Sequence, residues 1–133
     1  MYSVGGKPLN PTDPATPCGL VARSFFTDTY VLFKLDSQGN RVQPAVTINE
    51  TDIAWESDVK YKFRNVYEDL PAGLNWTDVQ WIDMENEHFI VWMRTAGLPN
   101  FRKLWGRVEE DMTPGTYELV IYNQYDVSLF EGQ

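Results

Sequence analysis

Short apolar runs alternate along this chain with clusters of turn-forming residues, and within the runs the period is closer to two than to 3.6. Tyr30 to Leu35 reads YVLFKL, rich in strand-forming residues. DSQGN, Asp36 to Asn40, supplies turn chemistry before the chain resumes at RVQPAVTI, and together these predict a hairpin. In FIVWMR, alternation sets Phe89, Val91 and Met93 on one face and Ile90, Trp92 and Arg94 on the other, which predicts a strand. TYELVIY divides Tyr117, Leu119 and Ile121 from Glu118, Val120 and Tyr122 in the same way. Ahead of it, Thr113-Pro114-Gly115-Thr116 fits a type II turn, with proline at the second position and glycine at the third. Only GLVARSFF, residues 19–26, reads as helical. Residues 68–83 form a long excursion. Residues 1–19, with Pro8, Pro11, Pro14 and Pro17, form an extended N-terminal arm. Neither a βαβ alternation nor a repeat is visible. The pattern predicts a single domain over residues 20–133 that is mainly β, antiparallel and sandwich-like, with long loops and at most short helices.

Composition narrows this reading. A chain of 133 residues with 43% hydrophobic and 14% aromatic content suits one core, burying roughly two-thirds of its unfolded surface. A formal net charge of -8 and a pI near 4.5 oppose general nucleic-acid binding, which needs surplus Lys and Arg to displace phosphate counterions. The opening MYSVGGKPLNP lacks the basic start and apolar centre of a signal peptide, and no apolar run is long enough to span a bilayer, so the chain as it stands is expected to be soluble. Cys18 and His88 are each the only residue of their kind, which removes zinc-finger and Cys-x-x-Cys spacings.

Few residues converge on a recognisable chemistry. DSQGN has part of a calcium loop's spacing but lacks its full oxygen set, and a turn explains it better. Asp83, Glu85 and Glu87 alternate on a possible strand; a solvated face explains them better than a metal or glycosidic carboxylate row. His88 has no nucleophile motif beside it and reads as a hydrogen-bonded structural residue. No catalytic residue, metal or cofactor is expected. Asn49-Glu50-Thr51 and Asn75-Trp76-Thr77 are glycosylation sequons, whereas Pro11 disqualifies Asn10.

From His88 to Val108 the acidic chain has no Asp or Glu, and Arg94, Arg102, Lys103 and Arg107 stand among Trp92, Phe101 and Trp105. Three readings compete: single-stranded nucleic acid stacked on the aromatics, which the global charge opposes; a sugar-binding platform on a sandwich; and an architectural block whose Arg stems cover aromatic surface while their heads reach acidic neighbours or a partner. Arg94, beside Ile90 and Trp92 on the expected strand face, is predicted to be partly buried and paired with a carboxylate or backbone carbonyls. Trp92 and Trp55 are taken as structural. Phe101, Arg102, Lys103 and Trp105 follow the Gly97-Leu98-Pro99 loop and are the candidates for a partner interface.

FIVWMRTAGLPNFRKLWGRV closely resembles the most distinctive signature of the Cdc-fifty family, the accessory beta subunits of type-four P-type ATPase lipid flippases. The resemblance extends to PCGLVARSFFTDTY, DIAWESDVKYKF and GTYELVIYNQYDVSLFEG, in the family's order. It implies a non-catalytic ectodomain, rich in antiparallel β-structure and flanked in the full protein by two transmembrane helices absent from this chain. Such a domain sits over the exoplasmic loops of the ATPase catalytic subunit, escorts it from the endoplasmic reticulum and supports lipid transport there, in the Golgi, in endosomes or at the plasma membrane. ATP chemistry belongs to that partner. In relatives the cysteine matching Cys18 pairs with one a short distance upstream; none lies between Met1 and Pro17, so the bridge is lost or its partner lies outside this chain. Relatives commonly have Asn-Asp-Thr where Thr27-Asp28-Thr29 stands, so the usual glycan position is absent, and many have a proline where Asp126 stands. The alternative reading is a carbohydrate-binding β-sandwich module.

Overall fold

A computed structural model describes residues 3–4, 7–8, 16–68, 70 and 72–128. Most of the expected N-terminal arm, 1–19, lies outside the described residues. The elements in chain order are β1 (Ser3–Val4), β2 (Lys7–Pro8), α1 (Leu20–Arg23), β3 (Thr29–Lys34), α2 (Glu56–Tyr61), α3 (Trp76–Val79), α4 (Glu87–Met93) and β4 (Tyr117–Tyr122). The sheets are two antiparallel pairs, β1 with β2 and β3 with β4. Antiparallel pairing and short helices are therefore present, and each sheet has two strands among the described residues. The chain forms two compact units, one of Met1–Phe25 with Thr51–Trp105 and the other of Phe26–Glu50 with Gly106–Gln133.

The helical unit is organised by α4, where a strand was expected. Strict alternation would place Phe89 and Ile90 on opposite faces, yet they are 0% and 1% exposed, which a helix accommodates by burying adjacent positions in one stripe. Asn86 starts the helix. Its side chain accepts from the N–H groups of His88 at 2.9 Å and Phe89 at 3.4 Å, satisfying donors that a first turn leaves open. Phe89 then lies edge-on to Phe25 and Phe63, with ring centres 5.6 and 6.3 Å away. Propensity favoured a strand for this β-branched and aromatic run; the cap and the aromatic cluster outweigh it. One consequence is that Arg94 shares a helix face with Ile90, one turn back, but not with Trp92. The indole of Trp92 donates instead to the carbonyl of Val21 at 2.8 Å.

Polar side chains complete this unit's interior. Gln80, 2% exposed, accepts from the N–H of Val66 at 2.6 Å and donates to Asn65 Oδ1 at 2.8 Å. Asn65 also donates to Asp83 at 2.7 Å and accepts from the N–H of Met84 at 3.0 Å. The residue-68-to-83 excursion is thus tied down at its end and contains α3. Asp83, Glu85 and Glu87 are not on a strand: they occupy a loop, a turn and the first residue of α4. Each accepts from polar groups across a bend, Glu87 from the N–H groups of Asp52 and Ala54 at 3.0 and 2.9 Å.

In the second unit β3 and β4 pair from Thr29↔Tyr122 to Lys34↔Tyr117. The Asp36 carboxylate accepts from the N–H groups of Gln38 and Asn40 at 2.8 and 2.9 Å, and Gly39 takes φ 85, so DSQGN is a turn. The returning segment meets β3 through the isolated bridge Leu32↔Val46 and through the N–H of Val42, which donates to the carbonyl of Lys34 at 2.8 Å; just past β3, Leu35 bridges Arg41. Arg41 forms a forked pair with Glu118 at 2.6 and 3.1 Å. The type II turn expected at Thr113–Thr116 is absent. Gly115 has φ 159 rather than the roughly +80° of that turn, because the N–H of Leu35 bonds the carbonyl of Thr116 at 2.9 Å and draws the segment into the ladder. Gly106 is required for close approach: a Cβ there would stand 2.6 Å from Ile48 Cγ2.

Phe89 fills the centre of a core with few large apolar members, so Phe89→Ala should destabilise the chain by about 3–5 kcal/mol. Denaturant unfolding followed by tryptophan fluorescence measures this. A loss below about 1 kcal/mol would mean that the aromatic cluster does not hold the helical unit together.

Candidate interaction site

The helical unit carries a cleft of about 460 Å³ lined by α2, the C-terminal end of α4 and the 95–104 segment. Its floor is an ion-pair cluster. Asp58, on α2, is 2% exposed and accepts from Lys62 at 2.5 Å and from Arg94 through its other oxygen. Lys62 is one turn further along, an i,i+4 pair; Arg94 arrives from the end of α4. The Arg94 guanidinium also lies 3.5 Å from the ring centre of Trp55, a stacked cation–π arrangement that an Arg plane makes well. Hydrogen bonding from Lys62, joined by the bond and charge of Arg94, lowers the Asp58 pKa below the ordinary 3.8, against burial, which acts to raise it.

The rim is different in character. Leu98, Phe101 and Trp55 are 73%, 58% and 63% exposed, and Arg102 is exposed beside them. Lys103, adjacent in sequence to Arg102, turns the other way. Its ammonium donates to the carbonyls of Val91 at 2.9 Å, Arg94 at 2.6 Å and Trp92, and burial lowers its pKa below the ordinary 10.5. Trp105 is half-buried against His88, ring centres 5.0 Å apart.

The cleft thus gathers Trp55, Arg94, Phe101, Arg102 and Lys103. The other singled-out residues lie elsewhere. Cys18 is exposed as a free thiol ahead of α1. Asn75 is exposed at the N-cap of α3, its N–H bonded to Asp78 at 2.9 Å. Asn49, in the strand-paired unit, is half-buried; its N–H bonds the carbonyl of Arg107 at 2.7 Å and its amide donates to Glu109 at 3.0 Å. Among the described residues, no group of three or more His, Cys, Asp or Glu is placed to hold a metal, and no helix is long and apolar enough to cross a membrane. Sequence reasoning missed Asp58 and Lys62, although their i,i+4 spacing in ESDVKYK signals a helical ion pair. It also missed the buried amides Asn65 and Gln80, for which no local signal exists.

Comparison with known proteins decides the family. Residues 3–133 match the family described as "LEM3 (ligand-effect modulator 3) family / CDC50 family". The chain belongs to that family. It is 39% identical over 137 residues to ALA-interacting subunit 3 of Arabidopsis thaliana, covering 98% of this chain and 36% of that protein. To Cell cycle control protein 50A of Rattus norvegicus it is 35% identical over 148 residues, covering 93% of this chain and 45% of the relative. The chain therefore spans less than half the length of these CDC50-family proteins.

The depressed Asp58 pKa has a definite sign. Its contribution to stability is present above the ordinary carboxylate value and is lost as pH falls through the lower folded value. Asp58→Asn should lower the melting temperature at neutral pH and flatten its fall in acid. Thermal melts across the acid range read both effects. Parallel pH profiles for the two proteins would count against the paired carboxylate as a source of acid sensitivity.

Proposed function

We propose that this chain is exoplasmic ectodomain of a non-catalytic accessory subunit of a phospholipid flippase, which binds the catalytic subunit of a type-four P-type ATPase. The observation that carries the reading is the family match along residues 3–133, together with relatives whose names make them interacting subunits. In this reading residues 20–133 act as one β-rich exoplasmic domain, anchored in the full protein by transmembrane helices outside this chain. The domain supports folding of the ATPase, its exit from the endoplasmic reticulum and lipid translocation at secretory-pathway membranes. The rim of the cleft is the surface offered to the ATPase: Leu98 and Phe101 supply exposed apolar area, Arg102 supplies charge, and Trp55 flanks them. Aromatic and Arg side chains of this kind are the usual anchors of protein interfaces.

The test is copurification of the full-length protein with its ATPase. Phe101→Ala/Arg102→Ala removes exposed groups, so stability should stay within about 0.5 kcal/mol of wild type. ATPase recovery should fall as expected when anchors worth about 2 kcal/mol each are lost. Wild-type recovery would move the interface off this rim. Glycan binding by the chain, with no ATPase captured by the full-length protein, would favour a carbohydrate-binding module instead.

Exposure ranks the two sequons. Asn75 stands in water at a helix start, whereas the side-chain amide of Asn49 is engaged by Glu109. Under secretory expression Asn75→Gln should abolish a glycosidase-sensitive mobility shift and Asn49→Gln should leave it in place. The reverse result would mean that side-chain exposure does not govern glycan attachment here.

A further inference from the structure

At the end of a helix the last carbonyls have no donors from within it and carry the negative end of the helix dipole. α4 ends at Met93, and its final carbonyls are met by a side chain from the far end of the following loop. The Lys103 ammonium donates to the carbonyl of Val91 at 2.9 Å, to that of Arg94 at 2.6 Å and to that of Trp92. An ammonium has three N–H donors, so all three are committed to this helix end and none is left for a partner. The rings of Trp92 and Phe101 stand 5.5 and 5.9 Å from the same nitrogen. Residues 95–102, between helix and clamp, are all exposed and belong to no helix or strand. One end of that loop is set by α4 and the other by Lys103.

We propose that Lys103 is a positioning residue for partner recognition: it fixes the 95–102 loop so that Leu98, Phe101 and Arg102 are presented together, and the ATPase docks on that loop without touching the ammonium. The docking half rests on the reading of this rim as the ATPase-facing surface; the clamp does not. A compact ammonium can direct three donors at three converging carbonyls, whereas the planar fork of a guanidinium cannot. Lys103→Arg, which keeps the charge, should therefore behave like Lys103→Met, which removes it.

The experiment compares wild type, Lys103→Arg, Lys103→Met and Phe101→Ala/Arg102→Ala as full-length proteins. It measures amide exchange in the last turn of α4, where the N–H of Arg94 bonds the carbonyl of Ile90 at 3.2 Å. It also measures chymotryptic cleavage within 95–102 and recovery of the ATPase. Both Lys103 variants should speed exchange and cleavage by about tenfold or more, the scale of one lost charge-assisted hydrogen bond, and should recover less ATPase. Phe101→Ala/Arg102→Ala should lower recovery with wild-type exchange. Wild-type exchange and cleavage in Lys103→Arg would overturn the clamp. Accelerated exchange in Lys103→Arg with full ATPase recovery would overturn positioning, since charge rather than loop shape would then be what the partner reads. If all variants recover the ATPase fully, the rim reading fails, while accelerated exchange in the Lys103 variants would still establish the clamp. Should Lys103→Met not fold, Lys103→Arg carries the test alone.

Discussion

A carboxylate that is 2% exposed must be answered by positive charge, and Asp58 is answered twice, by Lys62 from its own helix and by Arg94 from the end of α4. Leaving both cations out would strand the carboxylate in a poorly hydrated place, which costs far more than a surface pair contributes. The constraint therefore acts on geometry: α2 and the C-terminal end of α4 must meet where both cations reach the two oxygens. Once Arg94 is held there, its guanidinium covers Trp55 and its carbonyl becomes one of the three that Lys103 engages. The cleft and its rim descend from this pairing.

The interior around it is economical. Ala22, Ile53, Phe89 and Ile90 are the buried apolar residues described, with Asp58, Asn65 and Gln80 as buried polar companions. So small an apolar set leaves much of the specification to hydrogen bonds, and every buried side-chain nitrogen and oxygen described has a partner. Fully satisfied networks of this kind favour one arrangement because any alternative leaves a donor or acceptor unpaired.

The concentration of cations in an acidic chain now divides by task. Arg94 neutralises a buried acid, Lys103 closes a helix end, and Arg107 lies 3.6 Å from Glu109. A stretch that reads as one basic block thus serves several separate pairings within the chain, while Arg102 is exposed on the rim of the cleft.

Signals that act within a few residues were legible in the sequence. The strand at Thr29–Lys34, the strand at Tyr117–Tyr122 and the turn at Asp36 follow from side-chain period and from an Asp that folds back on its own backbone. The charge inventory and the family resemblance were legible too. Local signals were ambiguous at 87–93, where β-branched and aromatic residues suit a strand while Asn86 supplies a helix cap, and burial of neighbouring Phe89 and Ile90 decided for the helix. Gly115 was settled by a ladder bond from Leu35, not by its own turn preference. By itself, then, the sequence determined the short-range elements, the excess of acid and the kinship. Only the tertiary structure decided that Asp58 meets Arg94 across 36 positions and that adjacent Arg102 and Lys103 face opposite duties. Such choices depend on which carbonyls and carboxylates are deprived of water, and that is known only when the chain has closed around them.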